Sequence, residues 1–517
     1  MSILTAATRL YARRRHRQLS VQNPPETQQR QLLSLVKKSG TSRFGTAHDF
    51  GRIRSVADFQ KAVPLGRYED FWEQWWQDSF PILDNCTWPG RIPYFALSSG
   101  TSSGTTKYIP CSREMILSNR KAGVDLLVHH LINRPDSAIL GGKLFMLGGS
   151  TDLRKLAPGV YAGDLSGIAA ATTPPWLRPK QFPPLDIALM SEWEQKMQRL
   201  AVTAAAEDIR MISGVPSWLN LFFAELARQR QLTDISLKSL LPNVEMVVHG
   251  GVSFQPYRQQ YRDLITGSRA ELREVYPASE GFIAVADRGS DEGLRLILDH
   301  GIFFEFVPVE EIDHPSPTRH WVTDIEPGVN YAVVLSNCAG LWGYILGDTI
   351  SFTECNPPRL HVTGRLSYML SAFGEHLIGE EIEDAVSNGA ESIGTSVVEF
   401  SVGAIVPENS SEPGYHRYVV EFAENTISDA ARKTFINRVD DVLMARNEDY
   451  AAHRQEGYGM DKPQLLAAPP GAFTAWMKKR GKLGGQHKVP RIITDAELFA
   501  SLQSSIEEHA GPPSNGK

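Results

Sequence analysis

From the N-terminus to about residue 80 the apolar residues recur at three-to-four spacing, most densely at Tyr68, Phe71, Trp72, Trp75, Trp76 and Phe80. This pattern predicts helices with a break at Pro24-Pro25. Aromatics at helical spacing form one buried stripe, so they read as core and not as a cofactor cage. Farther along, short apolar runs end near glycines: 92–97 before a glycine-rich segment, Leu144-Phe145-Met146-Leu147 before Gly148-Gly149, and 244–248 before His249-Gly250-Gly251. A helix-like stretch covers 191–230, and β-rich segments follow at 294–298, 302–307 and 331–336. Such alternation predicts an α/β architecture with ligand-facing loops at strand ends.

After about residue 365 the texture changes. A short helical stretch at 380–386 precedes two strand-like runs, 395–406 and 415–422, paired across the polar 407–414 loop, and 428–446 has helical period. The expected organisation is a large domain of mixed sheets and helices over 1–365, a small α+β domain over 366–510, and a disordered tail at 511–517. No internal repeat is visible.

Composition narrows the function classes. The 517 residues are 42% hydrophobic and 22% charged, and the net charge, 53 − 59 = −6, gives no support for general nucleic-acid binding. The one strongly basic cluster, Arg13-Arg14-Arg15-His16-Arg17, reads as the solvated face of an amphipathic helix. No apolar run of membrane-spanning length and no signal-peptide core is present, so a cytoplasmic protein without a membrane partner, a monomer or weak oligomer, is expected. Cys86, Cys111, Cys338 and Cys355 lack C-x-x-C spacing, so neither structural zinc nor disulfides are expected.

The strongest chemical signal is Ser98-Ser99-Gly100-Thr101-Ser102-Ser103-Gly104-Thr105-Thr106-Lys107. Glycines let backbone N–H groups converge on an anion, hydroxyls add donors, and the lysine adds charge, which together describe a phosphate-handling loop. It is not a Walker A loop, because two threonines separate Gly104 from Lys107 and Tyr108 stands where the Mg²⁺-binding hydroxyl belongs. Further motifs follow in order. Tyr276-Pro277-Ala278-Ser279-Glu280-Gly281, directly after a 272–275 strand, gathers a ring able to stack on a purine, a hydroxyl, and a carboxylate able to hold Mg²⁺. Tyr344-Ile345-Leu346-Gly347-Asp348 sets an acid after a glycine turn, where it can accept from ribose hydroxyls. Gly364-Arg365 stands at the domain boundary, and Lys488 lies in Gly485-Gln486-His487-Lys488-Val489-Pro490-Arg491.

In order and spacing this set resembles the adenylate-forming superfamily, most closely its Gretchen Hagen 3 branch of acyl acid amido synthetases. Thr41-Ser42-Arg43-Phe44-Gly45, 58–65 and Tyr68-Glu69-Asp70 resemble the helical lead-in of that branch, and the likeness covers roughly 30–495. It implies an N-terminal domain holding ATP and a small carboxylic acid, with a mobile C-terminal lid. It also implies two half-reactions: carboxylate attack on the α-phosphate of MgATP, then attack on the acyl carbon by an amino acid. By the same resemblance Ser98, Ser99, Gly100, Thr101 and Lys107 serve the phosphates, and Tyr276, Ser279 and Glu280 serve adenine, α-phosphate and Mg²⁺. Asp348 serves ribose, Arg365 the hinge, and Lys488 adenylation. Lys107, Glu280 and Lys488 are the expected catalytic residues.

Several positions depart from the pattern. Ser367 replaces the hinge aspartate, Trp342-Gly343 replaces an aromatic-basic pair, and Gln486-His487 replaces a glutamine-aromatic pair. No carboxylate or lysine that the chemistry needs is missing, so an active enzyme is expected. His249 is read as bordering the nucleotide and acyl pocket or as a structural histidine, and Gly374-Glu375-His376-Leu377 as a turn. An acyl-CoA ligase of the same fold and a non-catalytic nucleotide-binding protein remain as alternatives.

Overall fold

The computed structural model describes residues 3–99, 106–148, 153–190, 193–251, 254, 257–289, 292–366, 370, 372, 377–405, 414–424, 427–447, 450–451, 454, 460–482 and 488–510. The chain divides into two compact units, one from residues 1–254 and 260–362, the other from 255–259 and 363–517. The expected tail at 511–517 lies outside the described residues.

Two helices open the chain, α1 (Ile3–Ser20) and α2 (Pro24–Ser39). Asn23 caps α2 from an extended backbone, its side chain accepting from Glu26 N–H at 3.1 Å, and Pro24 takes the first helical position, where a missing N–H loses nothing. The strands, in chain order among the described residues, are β1 (Tyr94–Ser99), β2 (Thr106–Cys111), β3 (Lys143–Leu147), β4 (Arg154–Ala157), β5 (Val160–Gly163), β6 (Gln181–Phe182), β7 (Ile209–Gly214), β8 (Met246–Gly250), β9 (Glu271–Ala278), β10 (Gly281–Val285), β11 (Leu294–Leu296), β12 (Ile302–Pro308), β13 (Asn330–Asn337), β14 (Tyr344–Cys355), β15 (Pro358–Arg365), β16 (Val397–Ile405), β17 (Tyr415–Phe422) and β18 (Gln464–Ala468). They pair as β2-β1-β5-β4, as an eleven-stranded sheet β12-β13-β14-β15-β11-β10-β9-β8-β7-β3-β6, and as β16-β17-β18.

The large sheet has two characters. From β6 through β3, β7 and β8 to β9 it is parallel, with buried apolar strands. Beyond β9 it turns antiparallel, and it curls. Tyr276 on β9 donates to Asp348 on β14 at 2.7 Å, although β14 stands four places from β9 in strand order. Flat strands would hold those positions about 19 Å apart at the usual spacing. The hollow of the curl is filled by Ile283, Leu296, Phe304, Phe306, Leu335 and Tyr344, members of one core.

The edge strand β12 is covered by α2. Buried Gln28 donates to the carbonyls of Leu298 and Ile302 at 2.8 and 2.9 Å, and its carbonyl accepts from Phe304 N–H at 2.8 Å. One side chain thereby supplies partners that a further strand would have supplied. The expected aromatic stripe is core: Tyr68, Phe71 and Trp76 are buried, and Trp72, Trp75 and Phe80 pack against the same cluster.

Two expectations need correction. The 191–230 stretch is not one helix; Trp193–Ala204 and Pro216–Arg230 are helical, and β7 lies between them. Alanine-rich 201–206 blurs the change of period, and Ile209 to Gly214 become a strand because β3 and β8 supply ladder partners on both sides. The basic cluster on α1 is not wholly solvated. Arg13, Arg14 and Arg17 are exposed, but Arg15 is buried and forks onto Asp125 (2.8 and 2.7 Å) and Asp299 (2.7 and 2.9 Å). Asp125, Asp299 and His300 lie close enough to share a cation, and the cation they share is this guanidinium.

In the second unit Gly379–Ser392 and Asp429–Arg446 pack with Phe400, Val402, Tyr418 and Val420. Helices Ala472–Lys479 and Ala496–Ala510 pack with Val419 and Ala468. Tyr418, Val419 and Val420 alternate between these cores, as a sheet covered on both faces requires. The helix expected at 380–386 extends over Gly379–Ser392, because its buried Ile382, Ala385, Val386, Gly389 and Ala390 continue one stripe.

Arg15→Ala takes the guanidinium from buried Asp125 and half-buried Asp299, and a loss of about 3–5 kcal/mol is expected in urea unfolding. Arg14→Ala, on the exposed face, should stay within about 0.5 kcal/mol of the parent. Burial alone raises the Asp125 carboxyl, but the bonds from Arg15 and His300 outweigh it and bring the group from 3.8 to about 2. Its contribution is therefore present above pH 3.8 and lost as pH falls toward 2, and an acid titration of stability should show that limb weakened in Arg15→Ala.

Candidate active site

The strands on either side of the glycine-rich segment, β1 and β2, pair as an antiparallel hairpin. In the register of β1 with β2, Ser99 pairs with Thr106 and Ser98 with Lys107, so the lysine sits one pair below the turn. Gly100 and Thr101 lie outside the described residues. Lys107 Nζ is 3.6 Å from Glu69 and 5.2 Å from the centroid of the Tyr68 ring. The Tyr68 hydroxyl accepts from Tyr108 N–H at 3.0 Å, and burial pushes that phenol up to about 12. An acid and a ring thus hold the lysine at the base of the hairpin.

Glu280 comes from a second hairpin. Gly281 pairs with Ala278, leaving Ser279 and Glu280 as the two-residue turn between β9 and β10. Gly281 has φ 152°, and a Cβ there would stand 2.5 Å from Ile302 Cδ1, so only glycine lets the strand leave the turn this closely. The 272–275 strand expected from sequence runs on to Ala278, which places Tyr276 within β9 and not beyond its end. Pairing with Ala284 of β10 carries it that far.

Asp348 also departs from expectation. It follows no turn but lies inside β14, where Ala332 pairs with Thr349 and Val334 with Ile345. Leu346, Gly347 and Asp348 therefore oppose Val333 alone, and Gly347 takes φ 90°. Such a bulge re-aims the side chain that follows it.

Two tyrosine–carboxylate bonds join these pieces. Tyr276 donates to Asp348 at 2.7 Å, and Tyr344 donates to Glu280 at 3.3 Å. All four residues are buried. Burial first, then the charge of Glu280, pushes the Tyr344 phenol well above its ordinary value, so it stays protonated and donates. Asn337 steadies the turn by donating to the Glu280 carbonyl at 2.7 Å. Glu69 and Tyr68 also act electrostatically on Tyr344, which links the Lys107 hairpin with the Glu280 turn.

The structure thus groups Lys107, Tyr276, Glu280 and Asp348 with Glu69 and Tyr344, and places Ser98 and Ser279 on the same two hairpins. Arg365 is the last residue of β15. Lys488 is exposed in the second unit, just before a segment anchored on β16. There Val402 N–H donates to Arg491 O at 2.7 Å, Ile493 N–H donates to Val402 O at 2.8 Å, and Arg491 pairs with Glu399. His249 is buried at the end of β8 with its ring stacked on Phe254, 3.6 Å between centroids. Ser367, Gly374, Glu375, His376, Gln486 and His487 lie outside the described residues. Sequence reasoning missed Glu69 as the partner of Lys107 and Tyr344 as the partner of Glu280. Both stand in motifs it singled out, but pairing across such sequence distances has no local signature.

Three family models match the chain: the GH3 family N-terminal domain over residues 14–148, central domain over 295–365 and C-terminal domain over 380–497. The chain is 26% identical over 309 residues to indole-3-acetic acid-amido synthetase GH3.3 of Arabidopsis thaliana, covering 55% of this chain and 49% of that protein. It is 27% identical over 298 residues to jasmonoyl–L-amino acid synthetase GH3.5 of Oryza sativa subsp. japonica, covering 53% and 50%. The matches thus span about half the length of these curated relatives. Among solved structures, the GH3.15 acyl acid amido synthetase aligns with TM-score 0.76 at 19% identity over 94% of each chain. A 2-hydroxyisobutyryl-CoA ligase aligns with TM-score 0.60 at 16% identity over 92% of this chain and 91% of that one. These structures share the fold. Among the described residues no helix is long and apolar enough to cross a membrane.

Proposed function

We propose that this chain, which belongs to the GH3 family, activates a small carboxylic acid with ATP as an acyl-adenylate. It then passes the acyl group to an amino acid, releasing pyrophosphate and AMP. The observation that carries the reading is the pair of tyrosine-oriented carboxylates, Asp348 and Glu280, joined through Tyr344 to the hairpin of Lys107. A carboxylate attacking an α-phosphate builds charge on oxygens that preoriented cations and donors must meet.

In this reading Lys107, with Ser98, Ser99, Gly100 and Thr101, cradles the phosphates, and Ser279 meets the α-phosphate. Tyr276 lies against adenine, while its hydroxyl fixes Asp348 to accept from ribose. Arg365 assists near the nucleotide. Glu280 suits Mg²⁺, since its donor is a hard carboxylate oxygen oriented by the Tyr344 hydroxyl, and Mg²⁺ takes one or two carboxylates together with phosphate oxygens. When bound, the ion would neutralise phosphate charge. Lys488, from the second unit, supplies its charge to adenylation.

Relatives named as amido and amino acid synthetases support an amine acceptor. The likeness to a CoA ligase rests on fold, and a thiol acceptor is the second reading. A pyrophosphate-release screen of small carboxylic acids with ATP, run with and without amino acids and with and without CoA, decides between them. Acid-dependent pyrophosphate release, with amino-acid-dependent AMP release, is expected; CoA-dependent release without amines would select the ligase.

Lys107→Ala and Glu280→Ala should each slow pyrophosphate release by about 10²-fold with little change in thermal stability. Asp348→Ala should instead raise the KM for ATP more than it lowers kcat, because ribose is bound in ground and transition states alike. Wild-type kinetics in all three would remove these positions from the site.

Lys488→Ala separates the half-reactions. Acyl-adenylate formation should fall, while amide formation from supplied acyl-AMP and amine stays near normal, because aminolysis expels AMP from a carbonyl already activated. Equal loss in both assays would contradict an adenylation-specific role.

A further inference from the structure

Asp164 and Lys196 are two buried, oppositely charged residues that act on each other electrostatically, and the reading above gives them no task. Asp164 is 8% exposed and Lys196 1%. Asp164 stands at the N-cap of Leu165–Ala171, where an aspartate ordinarily turns its carboxylate onto the first helical N–H groups, yet its side chain makes no capping bond. Its Oδ2 is buried and has no hydrogen-bond partner among the described residues. Lys196 is tied down by donating to Gly148 O at 3.2 Å and Ala188 O at 3.0 Å.

Their places in the fold are informative. β5 runs parallel to β1 with Gly163 beside Ala96, so Asp164 leaves its strand next to Leu97, one residue short of Ser98. Gly148, which holds Lys196, is the first residue beyond β3. That strand belongs to the parallel set whose carboxyl ends also carry His249 and Tyr276. The pair therefore belongs to the carboxyl ends of strands in two sheets, where ligands of open α/β sheets bind.

A buried carboxylate with an unmet oxygen calls for a hydrogen-bond donor. An anion would be repelled by it. A divalent cation is poorly served by one carboxylate with a lysine fixed nearby. An ammonium group supplies both donors and charge. We propose that Asp164 binds the ammonium of the acceptor amine and takes one proton from it, with the anchored Lys196 as a positioning residue. The inference rests on the amide-forming reading.

One N–H proton passes to Asp164 Oδ2, and the freed lone pair forms the C–N bond to the acyl carbon. The C–O bond to phosphate breaks with its electron pair leaving on AMP, and the second surplus proton on nitrogen passes to water. Burial raises the Asp164 carboxyl to about 6 against the opposing charge of Lys196, which makes it a stronger base than an exposed aspartate while leaving it largely ionised at neutral pH.

Hydroxylamine tests this, because it is uncharged at neutral pH and attacks an acyl-adenylate without losing a proton first. Asp164→Asn and wild type are compared with the acid that best supports wild-type pyrophosphate release, offering either a mixture of the standard amino acids or hydroxylamine. The ratio of amide to hydroxamate should fall about 10²-fold in Asp164→Asn. Should that variant not fold, Asp164→Ser is read in the same way. An unchanged ratio, whether both products persist or both fall together, overturns the proposal. Wild-type protein that forms hydroxamate but no amide with any amino acid would remove the amide-forming reading, and the proposal with it.

Discussion

Two tyrosine–carboxylate bonds across a curled sheet govern the first unit. Tyr276 to Asp348 and Tyr344 to Glu280 tie the β9–β10 turn to β14, strands that a flat sheet would hold far apart. Each bond gives a buried carboxylate a donor, without which burying the acid would cost several kcal/mol. Closing the curl and orienting the acids are thus one event. The glycines at the turn and the bulge follow from it, since Gly281 must pass Ile302 and Gly347 must carry a positive φ.

The helical lead-in is part of the same construction. Gln28 satisfies the free edge of β12, and Arg15 joins α1 to Asp125 on the Arg113–Asn133 helix and to Asp299 before β12. Tyr68 and Glu69 reach Lys107. A segment that reads as packing therefore supplies the sheet's edge partner and the lysine's counter-ion.

In the second unit, Ile492 forms a parallel bridge to Val402 of β16, with Arg491 paired to half-buried Glu399 and its guanidinium 4.6 Å from the Phe400 ring centroid. Burial raises the Glu399 carboxyl and the charge of Arg491 opposes that shift. The pair fixes the backbone shortly after Lys488, so the lysine extends from an anchored segment.

Much of this was legible in the chain alone. Short apolar runs before glycines mark β3 and β8, the 415–422 run marks β17, and the order of the Ser98–Lys107, Tyr276–Gly281 and Tyr344–Asp348 motifs points to nucleotide chemistry, because strand period and turn chemistry are local properties. Tertiary structure decided what depends on distant partners. β7 became a strand between β3 and β8, Asp348 moved from a turn to a bulge, and Arg15 left the solvated face for two aspartates. Glu69, Tyr344, Asp164 and Lys196 acquired their settings in the same way. Ladder pairing and buried charge are satisfied by residues tens to hundreds of positions away, and no local pattern records which of them will meet.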